Sequence, residues 1–403
     1  MPFIMITVLI DMIGIGLIIP VLAPVVGTFT QSPTEQALWY GVVTFAFGFA
    51  NFFGSPILGA LSDQYGRRPV LLLGFIGLAL SFWVTGLATE LWMLVAVRLI
   101  SGALQANVSV ANAYVADITP PQDRAKRFGM LGAMFGLGFV LGPVMGGLLG
   151  HINLHLPFFV AGTLAVLNAL YGYFILPESL PVERRSPVNW RKANPVSSLR
   201  QLRGLQGVGP LVAVMGLAAL AQFTLHTSWV LFTGFKFGWG PLQNGWSLFA
   251  VGVMSIVAQG WLIRVALKRV SAQRLAVWGL LSSAICYALW GLASQGWMMF
   301  AIIGLNLLGF MANPALQSIV SGAADAQSQG RTMGAVSSLS SASAALAPVL
   351  GSGLLGLVSH LPPGDWRIGA PMYLCAVVTA VAAMLARRHF KQHPLQPAHA
   401  PAL

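Results

Sequence analysis

The chain has 403 residues, 56% of them hydrophobic and only 8% charged, whereas a soluble domain carries about 25% charged residues. That balance excludes a water-soluble globular protein, and 45 glycines suit helices that approach closely within a bilayer. The net charge of +12 would argue for nucleic acid only if the basic residues shared one solvated face, and they are scattered through short segments instead.

A membrane span needs about 20 mostly apolar residues. Breaks at charges, Pro and Gly clusters predict twelve helices, near 3–28, 38–61, 70–89, 92–115, 129–150 and 156–176, then 209–233, 242–263, 273–293, 296–319, 332–358 and 368–387. The first run starts at Phe3 without a basic leader and carries Asp11, which reads as a first membrane helix and not as a signal peptide. Asp11 sits early in that helix, as expected if a few residues precede this sequence. Cys286 and Cys375 lie inside apolar runs without metal-ligand spacing, so they read as packing residues.

The basic residues test this count. With a cytoplasmic N-terminus, the cytoplasmic segments hold Arg67 and Arg68, then Arg124, Lys126 and Arg127, then Arg184, Arg185, Arg191, Lys192, Arg200 and Arg203. Further along come Arg264, Lys268, Arg269 and Arg274, then Arg331, and finally Arg387, Arg388 and Lys391. Only Lys236 and Arg367 fall in periplasmic loops, and Arg98 lies inside a helix. The positive-inside rule expects this asymmetry of a multi-pass protein with both termini in the cytoplasm, and a bacterial inner membrane is the expected location.

The one long polar stretch, Pro177 to Gly207, divides the chain into a six-helix half over 1–177, a cytoplasmic linker over 178–208, a second half over 209–390 and a tail over 391–403. An internal repeat supports the division. Asp117, Gly129 and Pro143 in the first half are echoed by Asp325, Gly334 and Pro348 in the second. The expected fold is an all-α membrane protein of twelve transmembrane helices in two pseudo-symmetric six-helix bundles, with a substrate site between them near the midplane.

Three motifs carry a resemblance. The loop after the second helix reads Gly59-Ala-Leu-Ser-Asp63-Gln-Tyr-Gly66-Arg67-Arg68-Pro69 and resembles the signature loop of the major facilitator superfamily. Arg98 with Gly102 resembles that superfamily's intramembrane Arg motif, and Gly138, Gly142, Pro143, Gly146 and Gly147 resemble the motif associated with its antiporters. Across most of the chain the sequence is similar to bacterial tetracycline/proton antiporters. The similarity runs through Asp11-Met-Ile-Gly-Ile-Gly-Leu-Ile-Ile-Pro20, Ala116-Asp-Ile-Thr, Leu176-Pro-Glu-Ser, Trp229-Val-Leu-Phe and Pro314-Ala-Leu-Gln317. The resemblance implies the major facilitator fold and proton-coupled export of a drug-like amphiphile, tetracycline the leading candidate, with a divalent metal carried alongside it and no resident cofactor. Those antiporters carry further intramembrane charges in the third, eighth and ninth helices, where this chain has Ser81, Ser255 and Ser283.

The residues themselves indicate where coupling chemistry can sit. Of the ten acids, only Asp11 falls within the hydrocarbon region, where a charge is costly unless paired and protonation becomes accessible. Depths counted from the helix ends put Arg98 within about 6 Å of Asp11 along the membrane normal, so an Asp11–Arg98 pair is expected, either as a coupling pair or as a static structural one. Arg98, Gly102, Gln105, Ser109 and Asn112 recur at helical spacing as one polar stripe, and Asn306, Asn313 and Gln317 form another. Both stripes are expected to line the cavity, with Gln222 and His226 added from the seventh helix. Two readings stand for His226: a titrating group that takes part in proton coupling, or a neutral imidazole hydrogen-bonded between helices. At the cytoplasmic ends, Gly59, Asp63, Gly66, Arg67, Arg68 and Asp117 are the candidate conformational latch.

No nucleophile with its base, no metal cluster and no P-loop appears in the sequence, which argues against an enzyme or an ATP-driven pump. The expected partners are a small-molecule substrate, protons and membrane lipids, without nucleic acid, for a chain acting as a monomer. The rival readings are a uniporter or importer of another amphiphile and, in a different class, a receptor or scaffold.

Overall fold

Hydrocarbon offers no water to a free N–H or C=O, so a spanning segment must close its hydrogen bonds within itself as a helix. The computed structural model describes residues 2–105, 107–188, 209–323 and 329–392, which leaves most of the expected linker, Asp325 and the expected tail beyond 392 outside them. Every regular element among the described residues is helical. The first half contains α1 (Pro2–Gly27), α2 (Pro33–Tyr65), α3 (Arg67–Leu87), α4 (Leu91–Leu104), α5 (Asn107–Asp117), α6 (Arg124–Ile152) and α7 (Leu156–Ile175). The second contains α8 (Gly209–Phe237), α9 (Pro241–Val257), α10 (Ile263–Leu267), α11 (Ala272–Leu292), α12 (Gly296–Leu305), α13 (Leu307–Ala323), α14 (Gln329–Val358) and α15 (Ala370–Gln392).

Eleven of these spans are long and apolar enough to cross a bilayer, counting α4 with α5 and α9 with α10 as one each. A twelfth is the pair α12–α13, bent by 45° at Asn306. This agrees with the twelve helices expected from the sequence. Two further spans are interrupted: the fourth after Leu104, and the eighth by a π-helical turn over Ala258–Leu262. Interrupted spanning helices are tolerated where they face protein or a cavity.

The segment expected as a loop after the second helix is almost entirely helical. α2 runs on to Tyr65 and α3 starts at Arg67, so Gly66 alone turns the chain, with φ at +104°. Few residues other than glycine adopt that conformation. Lys236, expected in a periplasmic loop, is instead buried at the end of α8, where its ammonium donates to the Gly291 carbonyl and lies 5.6 and 5.8 Å from the rings of Phe232 and Phe237. Cys286 and Cys375 are buried free thiols.

Close approach of small residues sets the helix packing. α1 packs along α6 and α7, while α2 packs on α14 and α6 on α9, which makes two seams between the halves. A methyl group on Gly142 would stand 2.6 Å from the Gly16 Cα, and one on Gly147 would stand 2.7 Å from the Pro241 carbonyl. Gly245 answers across the same seam, 2.6 Å from the Pro143 carbonyl, and Gly41 meets Ser352 at 2.8 Å in the other. Toward the opposite end of α6 the contact opens, since Gly129, Gly132 and Gly136 have no such neighbour within 4 Å. The halves therefore touch at one end and part at the other.

Overpacked interiors lose about 1–3 kcal/mol, so Gly142→Leu is expected to lower the thermal melting temperature of the purified protein, while Gly129→Ala leaves it unchanged. Equal melting of Gly142→Leu and the unsubstituted chain would show that the α1–α6 contact is not structural.

Candidate functional site

Where the halves part they enclose a cavity of about 440 Å³, within the range of pockets that take drug-sized molecules. α8 supplies Gln222, His226 and Trp229; the eighth span supplies Ser255 and Gln259; α11 supplies Ser283, Tyr287 and Trp290. The bent tenth span adds Asn306, Asn313 and Gln317, and α6 closes the wall with Gly136, Val140 and Pro143. Helical spacing explains the set: residues three or four apart fall on one face, so Gln222 shares a face with His226, and Asn313 with Gln317. Gln222, His226, Asn313 and Gln317 are exposed toward this space, although α8 and α13 otherwise bury much of their surface. Trp229 and Trp290 pack edge to face at 5.0 Å, and Tyr287 stacks on Trp290 at 5.7 Å, giving one wall a rigid apolar character.

Gln105, Ser109 and Asn112 do not reach this cavity. The sequence stripe assumed one continuous helix, and the break after Leu104 dissolves it. The Gln105 carbonyl accepts from the Asn51 amide at 2.6 Å, and the Asn112 amide bonds back to the Val108 carbonyl at 2.9 Å. Ser109 lines a separate space of about 220 Å³ between the halves, together with Gly59, Ser55, Ser337, Ser338 and Ser341. Gln259 and Tyr287 were not singled out by sequence reasoning. The π turn that places Gln259 has no sequence signal, although its amide donates to the Ser255 hydroxyl at 2.8 Å.

Asp11 and Arg98 do not pair. Asp11 is 6% exposed, and its Oδ1 accepts from the Asn107 amide at 3.1 Å. Beside it lies a void of about 10 Å³ walled by Thr7, Leu71, Phe75 and Phe135, room for about one water. Arg98, also 6% exposed, stands 5.9 Å from the Phe47 ring, and its Nε and Nη2 find no hydrogen-bond partner among the described residues. The depth argument failed because the spans are longer than the core they cross. At about 1.5 Å per residue a 27-residue span runs about 40 Å, well over a core of about 30 Å. Asn107, about nine residues beyond Arg98 and just past the helix break, is the side chain that arrives opposite Asp11.

The candidate latch residues gather at the end where the halves part. Arg67 reaches Asp63 at 2.5 Å, the Ser62 hydroxyl at 2.7 Å and Asp117 at 3.0 Å, which joins the ends of α2, α3 and α5. Arg68 donates to the Tyr173 carbonyl and lies 5.7 Å from that ring. Glu178, which sequence reasoning did not single out, is the hub. Its carboxylate accepts from the backbone N–H groups of Arg67 at 2.9 Å and Arg68 at 3.2 Å, capping α3, and from those of Ser179 and Leu180 at 2.9 and 3.0 Å. A methyl group on Gly66 would collide with that carboxylate, so this position requires glycine for space as well as for φ. All of these contacts stay within the first half and the start of the linker. A lost helix cap costs about 0.5–2 kcal/mol, so Glu178→Ala is expected to lower the melting temperature and to raise proteolysis near Gly66; unchanged values in both would show that the carboxylate does not anchor this end.

The antiporter-motif glycines lie along the contacts already described. Gly138 and Gly146 face the α1 backbone at Met12 and Leu17, Gly142 faces Gly16, and Gly147 faces α9, while Pro143 reaches the cavity. Comparison with known proteins identifies the chain that carries this arrangement. The profile of the Major Facilitator Superfamily matches residues 4–348 and 267–402. The class C tetracycline resistance protein of Escherichia coli is 38% identical over 369 residues, 91% of this chain and 93% of that protein. The class B protein of the same organism is 32% identical over 94% of each. Among solved structures, an inward-facing, unoccupied bacterial homolog of the human lysosomal transporter Spinster aligns over 98% of both chains with a TM-score of 0.75 at 18% identity. The nucleoside transporter NupG aligns over 96% of this chain and 99% of its own with a TM-score of 0.77 at 14% identity. With this fold and these relatives, the chain belongs to the Major Facilitator Superfamily and, within it, to the tetracycline resistance proteins, and it is a multi-pass membrane transporter of the drug-efflux kind.

Proposed function

We propose that the protein exports a drug-like amphiphile, with tetracycline the leading candidate, in exchange for protons by alternating access. The cavity between the halves carries this reading, because it is closed by glycine contact at one end and parts toward the other. The relatives named tetracycline resistance proteins supply the candidate drug. Basic residues cluster at the end that carries Arg67, Arg68, Arg124 and Arg127, so that end faces the cytoplasm by the positive-inside rule, and the cavity parts toward it. The chain acts as a monomer, since one copy holds the whole cavity.

Asp11 is the proton carrier on this reading. Among the described residues it is the one carboxylate buried in the spans, and its partner there is an uncharged amide, so none of those residues holds it permanently ionised. α1 and α6 both border Asp11, and both also reach the cavity through Ile19 and Pro143. A change in charge on Asp11 therefore acts on the two helices that must move when the halves close at the cytoplasmic end.

In inverted vesicles with an imposed pH gradient, tetracycline is expected to accumulate and an uncoupler to abolish the accumulation. Asp11→Asn, expressed to the same level, is expected to lose about tenfold or more of the gradient-driven uptake. Uptake indifferent to the gradient would favour a uniporter, and full coupling in Asp11→Asn would remove the role given to Asp11.

A further inference from the structure

The turn that joins the eighth span to α11 carries Arg264, Lys268, Arg269 and Arg274 and no acid. It lies at the Arg67 end, because the α6–α9 seam runs from Gly147 against Gly245 to Val140 against Gly252, and the eighth span continues in that direction. All four cations are exposed there, and none makes an ion pair among the described residues. Beyond residue 208 the sequence has only two acids, Asp325 and Asp365. Asp365 pairs with Arg367 at the opposite end, and Asp325, outside the described residues, is one charge against four. The corresponding turn of the first half is built differently, since between α2 and α3 the Arg67 guanidinium is held by Asp63 and Asp117. Like charges gathered in one turn repel unless a counter-anion joins them.

Tryptophan flanks this turn on both sides. Trp261, 65% exposed, precedes Arg264 by three residues and Lys268 by seven, and Trp278, 48% exposed, follows Arg274 by four. Each therefore shares a helix face with a cation. These faces look outward into lipid. Val257, Trp261 and Val265 on the eighth span are exposed, as are Trp278, Leu281 and Ile285 on α11, and none of the six lines the cavity. Tryptophan settles at headgroup depth, and an Arg or Lys one turn farther out reaches the phosphate layer.

We infer that the turn between the eighth span and α11 binds an anionic phospholipid of the surrounding leaflet, its phosphodiester held by Arg264, Lys268, Arg269 and Arg274 and its glycerol and upper acyl region lying against Trp261 and Trp278. The lipid supplies the counter-charge that Asp63 and Asp117 supply in the first half. A zwitterionic phospholipid brings a cation of its own and leaves the turn uncompensated. A free phosphate would leave both tryptophan faces uncovered.

The test is lipid binding to the purified full chain in a neutral detergent, read by thermal melting and by native mass spectrometry. Phosphatidylglycerol is expected to stay bound and to raise the melting temperature, while phosphatidylethanolamine and inorganic phosphate do neither. Lys268→Gln combined with Arg269→Gln and Arg274→Gln is expected to weaken phosphatidylglycerol binding about tenfold or more. Lys126→Gln combined with Arg127→Gln and Arg184→Gln, an equal change of charge on the first half, is expected to leave it within about twofold. Trp261→Ala combined with Trp278→Ala keeps every charge and is expected to weaken it about threefold or more. Equal weakening by the two charge variants would show that net charge alone attracts the lipid and would overturn the site. Stabilisation by inorganic phosphate as large as that by phosphatidylglycerol, or unchanged binding in both the Lys268 and the Trp261 variants, overturns it as well.

Discussion

Backbone contact among α1, α6 and α9 fixes the geometry on which the other features rest. Lipid tails are as apolar as leucine, so membrane helices associate through dispersion and close fit more than through the hydrophobic effect. The glycines at 16, 142, 147 and 245 bring backbone against backbone at one end of the molecule. Farther along α6 the glycines at 129, 132 and 136 have no neighbour to meet. The contrast along α6, between its contact with α9 at Gly147 and its open stretch from Gly129 to Gly136, goes with the parting of the halves toward the Arg67 end and the cavity between them.

The same helices keep charge away from the cavity. Asp11 is turned into the first half against Asn107, and Arg98 lies among α2 side chains beside Phe47. On the proposed reading the drug site and the proton site are thus different places, and they communicate through the movement of α1 and α6 and not through a shared ion pair. The network around Arg67 and Glu178 binds the ends of α2, α3 and α5 into one block. It equips the first half to move as a rigid unit, the usual mode for transporters built from two repeats.

Much of this was legible in the sequence. Twelve apolar runs with an alternating bias of basic residues gave the helix count, because the cost of burying charge leaves little freedom in placing such runs. Spacing of three and four put Gln222 with His226 and Asn313 with Gln317 on single helix faces, and the structure turns both faces to one cavity. The partner of Asp11 was not legible, since depth counted from helix ends assumes straight spans that match the core, and the fourth span is overlong and broken after Leu104. Glu178 was missed for another reason. The partners that tie it to α3 are backbone N–H groups about 110 residues away, and such contacts leave no pattern in side-chain identity.

The central claim is that drug movement through the cavity is tied to proton movement through Asp11. The most direct measurement is drug-induced proton flux in proteoliposomes holding the purified protein and an internal pH dye, read for the unsubstituted chain and for Asp11→Asn. The account predicts that tetracycline added on one side drives protons in the opposite direction in the unsubstituted protein, and that Asp11→Asn shows no such flux while still binding drug. Drug movement with no accompanying proton flux, or an equal flux in Asp11→Asn, would contradict it.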